Sequence, residues 1–131
     1  MQRNNDKLVM IADDDPDIVD VLQCIVEEEG YRVITTSNEA TTEDVRKHMP
    51  DLLLLDRWML NTNGLTICQI LKGDSATRHI PILMLTASGD IHQLAKNAGA
   101  DEFMEKPFDM NTLLQKIEEL VWLFFFIEVI L

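Results

Sequence analysis

Short apolar runs alternate with longer amphipathic stretches from one end of the chain to the other, and no other feature restricts its fold as tightly. Apolar runs of about four to eight residues suit strands, and stretches with apolar residues every three or four positions suit helices. The first strand is predicted over Leu8 to Ala12. A helix follows from about Asp17 to Glu29, with Asp15 as N-cap, Pro16 at its first position, Gly30 as its stop, and Ile18, Val21, Leu22, Ile25 and Val26 on its inner face. The second strand, Tyr31 to Thr36, leads to a helix around Thr42 to Met49 that Pro50 ends. Leu52 to Leu55 is apolar without interruption, the pattern of a strand buried on both faces. A turn at Asn61 to Gly64 opens a helix from about Leu65 to Lys72, stopped by Gly73. The fourth strand, Ile82 to Leu85, precedes a weaker helix, about Ile91 to Ala98. Glu102 to Glu105 forms a short fifth strand, and after Lys106 and Pro107 a last helix, capped by Asp109, carries Leu113, Leu114, Ile117, Leu120 and Val121.

Strands and helices in strict alternation give a parallel sheet with helices on both faces, because right-handed crossovers place them above and below it. The expected fold class is therefore α/β, a doubly wound five-stranded parallel sheet. At 131 residues the chain is long enough for one core and too short for two, so a single domain is expected over 1–131, with its core over about 7–120.

In such sheets the chemistry gathers beyond the carboxyl ends of the strands. Asp13, Asp14 and Asp15 follow the first strand, Asp56 the third, Thr86 the fourth and Lys106 the fifth. Two carboxylates about 5 Å apart repel by roughly 3 kcal/mol at an effective dielectric near 20, so such a cluster calls for shared protons or a cation. A hard divalent ion suits it: Mg²⁺, or Mn²⁺ in its place, prefers oxygen ligands and needs no complete protein cage. A carboxylate is also a nucleophile toward phosphorus when charge on the transferred oxygens is neutralised, which Lys106, the metal and the Thr86 hydroxyl could do. Asp15 is read as the helix cap alone.

The segments IADDDPD, LLLLDRWMLNTNG, PILMLTAS and GADEFMEKPF together resemble, in order and spacing, the receiver domain of two-component response regulators, over roughly Lys7 to Leu120. The resemblance implies a flavodoxin-like (βα)₅ fold with strand order 2-1-3-4-5. It implies Asp56 as phosphoacceptor, Asp13 and Asp14 as the acid pair binding Mg²⁺, and the Trp58 backbone carbonyl as a further metal ligand. It also implies a switch in which Thr86 moves toward the phosphoryl group and Phe103 swings between exposed and buried, remodelling the face of the fourth helix, fifth strand and fifth helix for a downstream protein partner. The phosphoryl donor would be a phosphohistidine on a sensor histidine kinase or a histidine phosphotransfer protein, and the chain would be a signalling domain that catalyses only its own Mg²⁺-dependent phosphorylation and dephosphorylation.

Two departures from the family pattern stand out. Leu60 replaces the usual proline, so the loop after the phosphoacceptor gains a backbone N–H and is expected to be looser. Trp58 is bulky for its position, and its indole is expected to shield the acyl phosphate from water.

Composition adds exclusions. A formal charge of -12 repels nucleic acid and anionic membranes, so direct nucleic-acid binding is not expected. MQRNNDK lacks a signal-peptide core behind it, and Cys24 and Cys68 lack metal-site spacing, so a cytoplasmic protein with two free, half-buried thiols is expected. The apolar stretch 121–131 is too short to span a bilayer, which takes about 20 residues, and needs a cover: a partner chain, a groove on the same domain or a fused segment, with a homodimer through the last helix and tail favoured. Two competing functions remain at this level, a receiver that docks without phosphorylation and a haloacid-dehalogenase-like phosphotransferase using Asp13 and Asp15.

Overall fold

The computed structural model describes residues 6–87 and 91–130, of which 91, 92, 94 and 123–130 through their backbone alone. Five parallel strands, β1 (Leu8–Ala12), β2 (Arg32–Thr36), β3 (Leu52–Asp56), β6 (Ile82–Thr86) and β7 (Glu102–Glu105), form one sheet in the order β2-β1-β3-β6-β7. Counting only these five, the order is 2-1-3-4-5, as the resemblance implies. Between β3 and β6 the chain adds a small antiparallel hairpin, β4 (Trp58–Met59) with β5 (Thr62–Asn63), where the sequence pattern predicts only a turn at Asn61 to Gly64.

The three central strands, β1, β3 and β6, are buried on both faces, and their successive residues feed two separate cores. Val9, Ile11, Leu52, Leu54, Leu83 and Leu85 meet Leu22 and Val26 of α1 (Pro16–Glu28) and Leu113 and Ile117 of α5 (Met110–Ile130). Met10, Ala12, Leu53, Leu55, Ile82 and Met84 face the other way, against Val45 of α2 (Ala40–His48), Ile67 and Leu71 of α3 (Gly64–Gly73) and Ala95 of α4 (Ile91–Asn97). Four consecutive leucines can sit in β3 because a central parallel strand has no solvent side.

Helix ends follow local chemistry. The Asp15 side chain accepts the Asp17 N–H at the start of α1 with Pro16 in the first turn, and the Asp109 carboxylate accepts the Thr112 N–H at 2.9 Å. α2 begins at Ala40, two residues before its predicted start, and ends at Met49, which adopts a left-handed φ of 46° ahead of Pro50. Val21, expected on the inner face of α1, is exposed.

The last helix corrects the expected edge of the core. Val121 and Trp122, assigned to the tail, are buried in the α1/α5 core, and the Lys7 ammonium lies 4.8 Å from the Trp122 ring centre. An unbroken apolar run carries no period that marks where burial stops. The domain's own surface thus covers the first two residues of that stretch; the side chains beyond Trp122, and the homodimer expected through them, lie outside the described residues. No helix among the described residues is long and apolar enough to cross a membrane. Both thiols are free, but Cys24 is exposed and not half-buried, while Cys68 is buried and burial pushes its pKa up to about 11.

Candidate functional site

The sheet order brings together the groups that follow β1, β3, β6 and β7. Asp13 continues β1 far enough for its N–H to donate to the Thr36 carbonyl, Asp56 is the last residue of β3, Thr86 the last of β6, and Lys106 follows β7 with its N–H on the Thr86 carbonyl at 2.6 Å. Asp13, Asp56 and Thr86 are buried, at 4%, 8% and 1% exposure, so the two carboxylates have little water to stabilise their charge.

Lys106 lies between them. Its Nζ is 3.3 Å from Oδ2 of Asp13 and 3.3 Å from Oδ1 of Asp56. The other Asp13 oxygen, Oδ1, accepts the Asp15 N–H at 2.9 Å. Burial pushes the Asp56 pKa up, repulsion from Asp13 adds to the rise, and Lys106 and the Trp58 backbone N–H work against it. Asp14, exposed beside them, completes a group in which one carboxylate oxygen from each of Asp13, Asp14 and Asp56 lies within 4.8 Å of the others. Oxygens bound to one cation at about 2.1 Å sit roughly 3 to 4 Å apart, so a small closing movement would bring all three within reach of a single hard ion. Three carboxylates against one ammonium leave negative charge for a cation to balance, and an all-oxygen donor set suits Mg²⁺ chemistry.

The hairpin shapes the rim. The Arg57 guanidinium stacks on the Trp58 indole, 3.7 Å from the ring centre, and donates to Oδ1 of Asn63 at 3.0 Å; Asn63 in turn accepts the Leu65 N–H and caps α3. Trp58 is 62% exposed. The segment expected to be loose is pinned: Leu60 donates its N–H to Oδ2 of Asp14. Gly64, at the start of α3, passes so close to β3 that a Cβ there would lie 2.3 Å from the Asp56 carbonyl oxygen. The sequence signals both features only weakly, the first as a departure from proline and the second as a glycine opening a helix. Asp15 stays out of the cluster as a cap, as expected, which removes the second aspartate that a dehalogenase-like reading needs. Phe103 is partly buried against the α2/α3/α4 core and borders a cavity of about 320 Å³ with Phe108, Asp109 and Thr112.

The sequence matches the family described as response regulator receiver domain over residues 9–118. The chain belongs to that family. It is a receiver domain of the two-component response regulators, and phosphorelay signal transduction is its functional class. Among relatives, the receiver is 35% identical over 116 residues to the DNA-binding dual master transcriptional regulator RpaA of Synechocystis, matching 86% of this chain and 48% of that protein. It is 35% identical over 113 residues to the DNA-binding response regulator MtrA of Mycolicibacterium smegmatis, matching 83% of this chain and 48% of that one. A crystal structure of a putative response regulator from Chloroflexus aurantiacus superposes with a TM-score of 0.82 at 30% identity, covering 88% of the receiver and 97% of that chain.

The chain spans about half the length of the curated relatives it matches. That overturns the exclusion of nucleic-acid binding drawn from net charge. The relatives are DNA-binding proteins, and a charge of -12 describes only the 131 residues that carry it.

Proposed function

We propose that Asp56 accepts the phosphoryl group, and the observation that carries this reading is the Lys106 ammonium held 3.3 Å from the buried Asp56 carboxylate at the carboxyl end of the central strand. An Asp56 oxygen attacks phosphorus, the new P–O bond forms as the bond to the donor breaks, and an acyl phosphate results. The donor in this reading is a phosphohistidine on a sensor kinase or phosphotransfer protein, whose imidazole leaves with the bonding electron pair and takes up a proton. Lys106 turns from the empty carboxylates to a phosphoryl oxygen, and the Thr86 hydroxyl donates to another. Asp13, Asp14, Asp56 and the Trp58 carbonyl would hold Mg²⁺, or Mn²⁺, which when bound neutralises charge on the transferred oxygens. The chain would thereby catalyse its own phosphorylation and dephosphorylation and act on no other substrate. Movement of Thr86 draws Phe103 inward, and the cavity beside Phe103 gives that ring room to change rotamer. The acting unit is one receiver domain whose core reaches Trp122, working in a reducing, cytoplasmic compartment where Cys24 and Cys68 stay free.

The test is intact mass after incubation with acetyl phosphate and Mg²⁺. One phosphoryl adduct that requires Mg²⁺ and is released by neutral hydroxylamine, as an acyl phosphate is, supports the reading; no adduct supports docking without phosphorylation. A second expected result concerns Trp58. Its indole, stacked on Arg57 at the rim, limits the approach of water, so Trp58→Asn loses its phosphoryl group faster than the unsubstituted protein in a time course of adduct decay. Equal or slower loss would contradict the shielding role.

A further inference from the structure

Each of the three clustered carboxylates is oriented by a donor, and the donors differ. Lys106 reaches Asp13 and Asp56, and the Asp15 N–H and the Trp58 N–H add a second contact to Asp13 and Asp56 respectively. Asp14 is served from the hairpin: the Leu60 N–H donates to its Oδ2 at 2.5 Å, across 46 residues of sequence. We infer that the Leu60 backbone N–H is a positioning group for the metal site, holding Oδ2 of Asp14 so that the other oxygen faces the cation. The inference rests on the proposed divalent-cation site.

The physical case is one of orientation. Asp14 is exposed, so its carboxylate would otherwise sample several rotamers and lose that freedom on binding an ion. A donor outside the ligand set that fixes a ligand's orientation is commonly worth about 10- to 100-fold in metal affinity. The donor also takes up part of the negative charge while the site is empty, which eases repulsion among the three carboxylates. The Leu60 side chain is 68% exposed, so the contribution belongs to the backbone.

The turn permits a clean test. Leu60 and Asn61 join β4 to β5, Met59 before them is extended, and Asn61 has a φ of 62°. A positive φ at the second turn position with an extended residue ahead of the first is a backbone that accepts proline at the first. Leu60→Pro therefore removes the donor with little change of path, and Leu60→Ala trims the side chain but keeps the N–H. Binding of Mn²⁺, read from the loss of the free-ion electron paramagnetic resonance signal and repeated with Mg²⁺ as competitor, is expected to be about tenfold weaker in Leu60→Pro than in Leu60→Ala. Thermal melts of the metal-free proteins are expected to place Leu60→Pro at or above Leu60→Ala, since proline restricts the unfolded chain. A loss of affinity without a loss of stability distinguishes positioning from a merely structural role. Equal dissociation constants for the two variants would overturn this inference and leave the site reading intact. If the unsubstituted protein bound no Mn²⁺, the site reading and this inference would fall together.

Discussion

Asp56→Asn is expected to take up no phosphoryl group from acetyl phosphate and, in metal-free buffer near neutral pH, to unfold at a higher temperature than the unsubstituted receiver. The first half follows from chemistry, because a neutral amide of nearly the same shape lacks the carboxylate's nucleophilicity. The second follows from where that carboxylate sits. Burial first, and the neighbouring Asp13 second, raise its pKa above the ordinary carboxylate value despite Lys106. A folded pKa above the unfolded one means that the fold binds this proton more tightly than the unfolded chain does. Above the folded pKa the ionised group therefore costs stability, and the cost fades as pH falls through that value. The advantage of Asp56→Asn is thus largest above the folded pKa and shrinks as pH falls toward the unfolded value, while Lys106 keeps Asp13 as partner. Adding Mg²⁺ works in the opposite sense. A ligand at about ten times its dissociation constant stabilises by roughly 1.4 kcal/mol, which the unsubstituted receiver is expected to gain and the variant, short of one proposed ligand, to gain less of. Melting curves with EDTA and with Mg²⁺, at neutral and acidic pH, check both signs.

Gly64→Ala is expected to lower stability by about 3 kcal/mol, roughly 10 °C in melting temperature for a chain of this size. The new methyl carbon would meet the Asp56 carbonyl oxygen at 2.3 Å and the Arg57 Cα and carbonyl oxygen at 3.1 Å, all backbone atoms that no rotamer change can move aside. The same contact explains a functional cost. Gly64 also donates its N–H to the Arg57 carbonyl at 2.8 Å, so α3 is docked directly on the chain that presents the Asp56 carboxylate. Displacing α3 shifts Asp56 relative to Lys106, and phosphorylation by acetyl phosphate slows even at temperatures where the variant is folded. A melting temperature within a degree or two of the unsubstituted receiver would show that the backbone yields more easily than the spacing implies.

Much of this fold is legible because a parallel sheet leaves its strands no polar side. Leu52 to Leu55 suit a buried segment, and the polar residues at or just after the strand ends, Asp13, Asp56, Thr86 and Lys106, mark the carboxyl edge from the sequence alone. The hairpin at residues 58–63 is another matter, since two-residue strands are too short to show an alternation. The Leu60 contact to Asp14 joins residues far apart in sequence, and the tight passage of Gly64 over β3 is a property of packing that composition does not carry. Burial of Val121 and Trp122 is not legible because the run from Leu120 to Ile127 has no polar residue to mark where burial stops. Net charge is a different case: a value of -12 over these 131 residues does not exclude nucleic-acid binding when the DNA-binding relatives extend well beyond the matched segment.

The most direct measurement is to find which carboxylate carries the phosphoryl group. Borohydride reduces an aspartyl phosphate to homoserine, releasing phosphate, so peptide mass spectrometry of the reduced adduct reads the acceptor position. Homoserine at position 56, and at no other aspartate, is the predicted result. Homoserine at position 13 with an unmodified Asp56 would contradict the account.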